Sequence, residues 1–156
     1  MRTNDNHNAA QRKAVLDFAF EGVKIGDTVT SMKQIFPKME FVAGAWTIFP
    51  PELKTADNAI CYFQSNRLAH IEIAFYGKNY PQWKTIYQEL VAKYGKEDES
   101  NEPNKHIWYF ASVNRVVNCE YNQATDDLGH LSVRELTWQE PQLPIDPATG
   151  LAIPPK

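Results

Sequence analysis

The chain is poor in the features that would assign it a chemistry at once. Two cysteines, Cys61 and Cys119, in 156 residues are too few for a disulfide framework or for a structural zinc site built from thiolates. No glycine-rich phosphate loop, dinucleotide fingerprint or nucleophile elbow occurs, and neither HExxH nor HxH is present. No cofactor is therefore expected. No apolar run approaches the roughly 18 residues that cross a bilayer, so no membrane span is expected either. A net charge of −3, with the lysines scattered, leaves no basic footprint for nucleic acid. The first fourteen residues lack the apolar segment of a signal peptide. That reads as cytoplasmic for the chain as given, and as extracytoplasmic had a leader been removed.

What is present suits one globular core, with 43% hydrophobic and 12% aromatic residues. The organising stretch is 58–95, two strands joined by a tight turn and followed by a helix. Its opening, Ile60-Cys61-Tyr62-Phe63-Gln64-Ser65-Asn66-Arg67, is echoed by Ile107-Trp108-Tyr109-Phe110-Ala111-Ser112-Val113-Asn114-Arg115 with one inserted residue. Each copy follows a helical pattern, and the echo reads as an internal duplication of a helix–hairpin unit. In the first copy a two-residue turn places Asn66 at positive φ; in the second a three-residue loop places Asn114 there. The register that follows sets Phe63 opposite Leu68 and Phe110 opposite Val116.

Because side chains alternate along a strand, that register divides the sheet. Ile60, Tyr62, Ala69, Ile71 and Ile73, with Ile107, Tyr109, Val117, Cys119 and Tyr121, form the expected core face. Cys61, Phe63, Leu68, His70 and Glu72, with His106, Trp108, Phe110, Val116, Asn118 and Glu120, form the other. Cys61 and Cys119 then point to opposite faces, which argues against a disulfide between them.

In chain order, residues 1–14 are expected to be mobile, with nothing to bury. Leu16, Phe18 and Phe20 alternate as in a short strand. Asp27 or Thr28 caps a helix whose apolar stripe is Val29, Met32, Ile35 and Phe36 and which stops at Pro37. Residues 38–58 predict an irregular connection with one short strand at most, since Pro50-Pro51 forbids a central strand there. The helix over 81–94 is the clearest element: Trp83, Ile86, Tyr87, Leu90, Val91 and Tyr94 form one broad apolar face, with Gly95 just beyond the end. The acidic run from Glu97 to Glu102 lacks EF-hand spacing and reads as a solvated loop. A last strand follows over 130–138. The tail, 139–156, holds five of the ten prolines and is expected to be extended, with a turn at Asp146-Pro147-Ala148-Thr149-Gly150. Its Leu143, Ile145, Leu151 and Ile153 are expected to pack on the sheet face, in a monomer or across a dimer.

The expected architecture is thus α+β: residues 15–138 form one domain, an antiparallel sheet of about five strands with two main helices on one face. The pieces Phe20-Glu21-Gly22-Val23-Lys24-Ile25-Gly26-Asp27-Thr28-Val29, Tyr62-Phe63 with Arg67-Leu68, and Leu90-Val91-Ala92-Lys93-Tyr94-Gly95-Lys96 resemble signatures of small bacterial β-lactamase-inhibitor-protein-like domains. That resemblance implies helices on one face of an antiparallel sheet and a concave opposite face that grips partner proteins.

Two functional readings follow. The favoured one is a non-enzymatic module that binds an unknown protein or peptide through the helix-free sheet face. Its expected contacts are Phe63, Leu68, His70, Glu72, His106, Trp108, Phe110 and Arg134, because Trp, Tyr and Arg anchor interfaces. The alternative is a small metal-dependent or acid–base enzyme using His70, Glu72, His106, Glu120 and His130, the residue types that such sites employ.

Overall fold

The computed structural model describes residues 5–76, 83–102, 104–122, 128–139 and 146–150. The α+β class is as expected, but the sheet has eight strands and the helices number three. Helix α1 (Ala9–Leu16) and helix α2 (Val29–Ile35) precede a meander of β1 (Glu40–Val42), β2 (Ala45–Ile48), β3 (Asn58–Gln64) and β4 (Arg67–Tyr76). Helix α3 (Trp83–Tyr94) leads into a second meander of β5 (Glu99–Glu102), β6 (Lys105–Phe110), β7 (Arg115–Tyr121) and β8 (Leu128–Arg134). The meanders join along β4 and β8 into one antiparallel sheet, ordered β1-β2-β3-β4-β8-β7-β6-β5. Residues 38–58, expected to hold one short strand at most, supply both β1 and β2; these and β5 are three or four residues long, too short for alternation to register. The acidic run expected as a loop supplies edge strand β5.

The N-terminal expectation fails for a local reason. Asn8 and Gln11 form a reciprocal capping box: Asn8 Oδ1 accepts from Gln11 N at 2.9 Å, and Gln11 Oε1 accepts from Asn8 N at 3.0 Å. With Ala9, Ala10 and Ala14 behind it, this outweighs the short Leu16-Phe18-Phe20 alternation, and Leu16 ends a helix with its side chain outward. The segment expected to have nothing to bury instead buries His7. In α2 the cap is Thr28, with Met32 and Phe36 inward, whereas Ile35 is exposed.

Both hairpins turn where expected, but each shifts register once. In the first, Ser65 and Asn66 both take positive φ, and Phe63 does face Leu68. A bulge then leaves Ala69 unpaired, so that Tyr62 faces His70. In the second, a 3-10 turn over Ala111–Val113 and left-handed Asn114 make a four-residue loop, setting Phe110 opposite Arg115 and not Val116. A one-residue slip exchanges the faces of a whole strand. The helix-covered face therefore carries Cys61, Ile71, Ile73, Val117, Cys119, Val133, Trp108 and Phe110, packed against Val15, Met32, Phe36, Trp83, Ile86, Leu90 and Tyr94 of the three helices. The expected inward positions hold at Ile71 and Ile73 on β4 and along β7; Ala69 falls in the bulge, Leu68 turns inward, and the positions on β3 and β6 are reversed.

Two further expectations change with this register. Cys61 and Cys119 share a face, both buried and free, but β4 and β8 separate their strands. At about 4.8 Å per strand step, the gap is far beyond disulfide reach. The echoed hairpins also occupy different places: β3–β4 close the first meander, whereas β6–β7 stand in the middle of the second. The duplication finds no support, since alternating aromatic and β-branched residues suit any half-buried strand.

Gly129 on β8 shows why one position excludes a side chain. A Cβ there would meet the Glu120 carbonyl oxygen at 2.5 Å and the Trp83 ring at 2.7 Å, so glycine lets the first turn of α3 settle on the sheet. In the tail, Asp146–Gly150 forms the expected turn, with Gly150 N donating to Asp146 O at 2.8 Å. Leu143, Ile145, Leu151 and Ile153 lie outside the described residues. No described helix is long and apolar enough to cross a membrane.

Candidate functional site

None of the three helices lies on the second face of the sheet, and the strand register orders its side chains in three rows. The first is Tyr62, His70, Arg134, Val116 and Tyr109 across β3, β4, β8, β7 and β6. The second is Ile60, Glu72, Ser132, Asn118 and Ile107. The third is Asn58, Ala74, His130, Glu120 and Lys105.

The first row is completed by a segment after β8 that sequence pattern assigned to the last strand. The carbonyl freed by the bulge at Ala69 accepts from Glu135 N at 2.8 Å. Asn114, in its left-handed turn position, accepts from Thr137 N through Oδ1 at 3.0 Å and donates through Nδ2 to Glu135 and Thr137. Arg134 donates to the Glu135 and Leu136 carbonyls. The chain thus turns back over the sheet and seats Trp138 against His70, with ring centroids 4.4 Å apart, and near Tyr62 at 5.2 Å. Tyr62 stacks on the other side of His70 at 5.0 Å.

His70 is held there without a hydrogen bond to any described residue. It is 6% exposed, and both of its ring nitrogens lack a partner; the Glu72 carboxylate comes no nearer than 3.5 Å. Burial, with the charges of Arg134 and His130, pushes its pKa down to about 4, so the ring is neutral at pH 7. The unfolded chain takes up that proton near 6.5, the folded chain only near 4. Stability is therefore complete above about pH 6.5 and falls as pH drops towards 4, by up to about 3 kcal/mol. His70→Phe, which keeps a ring between Tyr62 and Trp138, is expected to remove that part of the slope. Denaturant titrations of both proteins at pH 4.5, 5.5 and 7 check this; equal slopes would refute it.

The third row carries charges of both signs, Glu120 and Lys105, beside His130. Glu120 and His130 approach to 3.6 Å, and each is partly exposed. Neither Glu72 nor Glu120 is paired with a lysine or arginine among the described residues. Between the rows a cavity of about 230 Å³ is lined by Asn58, Ile60, Glu72, Ala74, Gly129 and His130.

The structure splits the residues singled out from sequence. His70, Glu72 and Arg134 lie on the helix-free face, with Glu120 and His130. Leu68, Trp108 and Phe110 are fully buried beneath the helices, and Phe63 is half-buried against the same core. His106 is also on the helix side, where its Nδ1 meets the Glu97 carboxylate. The five residues of the enzymatic alternative therefore do not converge, and no cluster of three His, Cys, Asp or Glu groups suited to a metal occurs among the described residues. Tyr62, Tyr109, Asn118 and Trp138 were not singled out. Tyr62 and Tyr109 were placed on the wrong face by the register, and Trp138 is carried to the site by a turn that leaves no periodic signal.

On the helix side, one arrangement resembles a nucleophile site and fails on accessibility. Glu97 meets His106, and Cys119 stands directly across from His106 on β7. The Cys119 thiol is wholly buried, and burial with the charges of Glu97 and Glu120 pushes it up to about 12. Such a thiol is inert. No family model, curated protein or solved structure matches this chain.

Proposed function

We propose that this chain is a non-enzymatic binding module that recognises a protein or peptide through the helix-free face of its sheet. The observation that carries the reading is where hydrogen-bonding groups go unused. Of six buried side-chain nitrogen and oxygen atoms without a partner among the described residues, four belong to His70, Asn118 and Trp138 on this face. Each such atom costs roughly 1–3 kcal/mol, a cost the fold carries where it builds this face. Beside them stand a Trp, a Tyr and an Arg, the side chains that most often anchor interfaces. The resemblance to β-lactamase-inhibitor-protein-like domains supports the same reading, since it implies a partner-gripping face opposite the helices.

Peptides selected from a random displayed library on the full chain provide the test. Their affinity is expected to fall at least about tenfold in Trp138→Ala, and to be unchanged in Lys33→Glu on the helix side. Selected ligands that bind Trp138→Ala and Glu72→Arg as well as the parent would refute the reading.

A further inference from the structure

A second cavity among the described residues lies on the helix side of the sheet, away from that face. About 770 Å³ opens between α1, α3 and the segment around Lys54, within the range of small-molecule sites, about 300–1,000 Å³. Its walls are Ala14, Phe18, Phe20, Ile86, Leu90 and Leu131. We propose that this cavity binds a small amphipathic carboxylate, an aliphatic or aryl body ending in one anionic head.

The apolar body follows from the walls, the head from which polar groups are already engaged. Asp17 on the rim takes the Lys13 ammonium at 2.5 Å, and the Thr55 hydroxyl donates to Glu21 at 2.8 Å. Lys54 and Lys93 also line the cavity and have no ion-pair partner among the described residues. Glu89 is the one rim carboxylate likewise uncommitted, so uncommitted cations outnumber uncommitted anions. Tyr94 contributes the decisive group. It is 2% exposed and lines the cavity, yet its hydroxyl makes no hydrogen bond to a described residue. Burial pushes that hydroxyl up to about 12, so it remains a donor at any ordinary pH. A tyrosine hydroxyl free to donate and two lysines in the lining of one apolar cavity suit a carboxylate head. Charge-assisted hydrogen bonds of that kind are about twice as strong as neutral ones.

Titration of the full chain with octanoate, octanol and octylamine, followed by calorimetry, tests this. Octanoate is expected to bind saturably at one site, with octanol about tenfold weaker and octylammonium weaker still. The Lys54→Glu/Lys93→Glu pair, both exposed, is expected to bring octanoate to the level of octanol. Tyr94→Phe should weaken octanoate severalfold while leaving octanol unchanged. Ala19→Trp places a bulky ring in the cavity from an exposed position and should abolish all binding without loss of melting temperature. Trp138→Ala on the sheet face should leave every affinity unchanged. The proposal fails if octanoate does not saturate, if it binds Ala19→Trp undiminished, if Tyr94→Phe has no effect, or if a neutral or cationic analogue binds as tightly.

Discussion

Trp108→Ala is expected to destabilise the protein by about 3–5 kcal/mol, lowering the melting temperature by roughly 10 °C or more for a chain of this length. Trp108 is wholly buried between α3 and the sheet, its ring near Tyr87 and Tyr94. Its indole N–H donates to the Gly95 carbonyl at 2.8 Å, engaging one of the carbonyls that the end of α3 leaves open. Truncation removes the largest side chain at that point, opens a cavity and strands the carbonyl. Trp108→Phe retains most of the packing and is expected to cost about 1–2 kcal/mol, chiefly the hydrogen bond. Guanidinium unfolding of the three proteins checks both values. A loss under about 0.5 kcal/mol for Trp108→Ala is what an exposed position gives, and would return Trp108 to the open face.

Glu97→Leu is expected to cost a similar amount, about 3–5 kcal/mol. The side chains of Glu97 and His106 are 7% and 8% exposed, so removing the carboxylate leaves a buried imidazole with neither ring nitrogen engaged, since Nε2 has no partner already. It also deprives the Tyr87 hydroxyl, which donates to Glu97 at 3.0 Å, of its acceptor. Burial first, then the hydrogen bond to Glu97 and its charge, push the Tyr87 hydroxyl up to about 12, so it stays protonated and able to donate at any ordinary pH. The double substitution Glu97→Leu/His106→Phe should recover most of the loss. His106 lies between the rings of Tyr87 at 4.1 Å and Tyr121 at 5.9 Å, where a phenyl ring fits, and replacing both partners of a buried polar pair by apolar groups of similar shape is often nearly neutral. If the two single losses simply add in the double variant, the pair is not coupled and this account of it is wrong.

The neighbouring Asp98 is used in the same way. Its Oδ2 meets His7 Nε2 at 2.7 Å and accepts from Tyr109 N at 2.8 Å, while His7 stacks on Phe110 at 4.2 Å. Two consecutive carboxylates in an acidic run thus tie down a strand end and the N-terminal segment. Nothing in the sequence distinguished Glu97 and Asp98 from Glu99 or Glu102, because their partners, His106 and His7, are remote in sequence or on another strand. Charge pattern alone favoured a solvated loop, and only the folded contacts separate the buried pair from its neighbours.

What the sequence determined by itself was local. The face of α3 was readable from Trp83 to Tyr94 because a twelve-residue helix repeats its pattern several times. Thr28 and Gly95 marked helix ends through their own backbone preferences, and Asn66 and Asn114 marked turns for the same reason. Two mirrored faces of one sheet were also foreseen, along with the class of fold. Tertiary structure decided which face each strand shows, since one bulge at Ala69 and one extra loop residue before Arg115 reverse β3 and β6. Neither costs enough locally to leave a mark in composition; both are selected by how Cys61, Trp108 and Phe110 pack beneath the helices. The same bulge frees the carbonyl that turns the chain at Glu135 and brings Trp138 onto His70. The candidate face is thus a product of long-range packing, and single-strand alternation, blind to register, could name its His70, Glu72 and Arg134 but not the aromatic side chains around them.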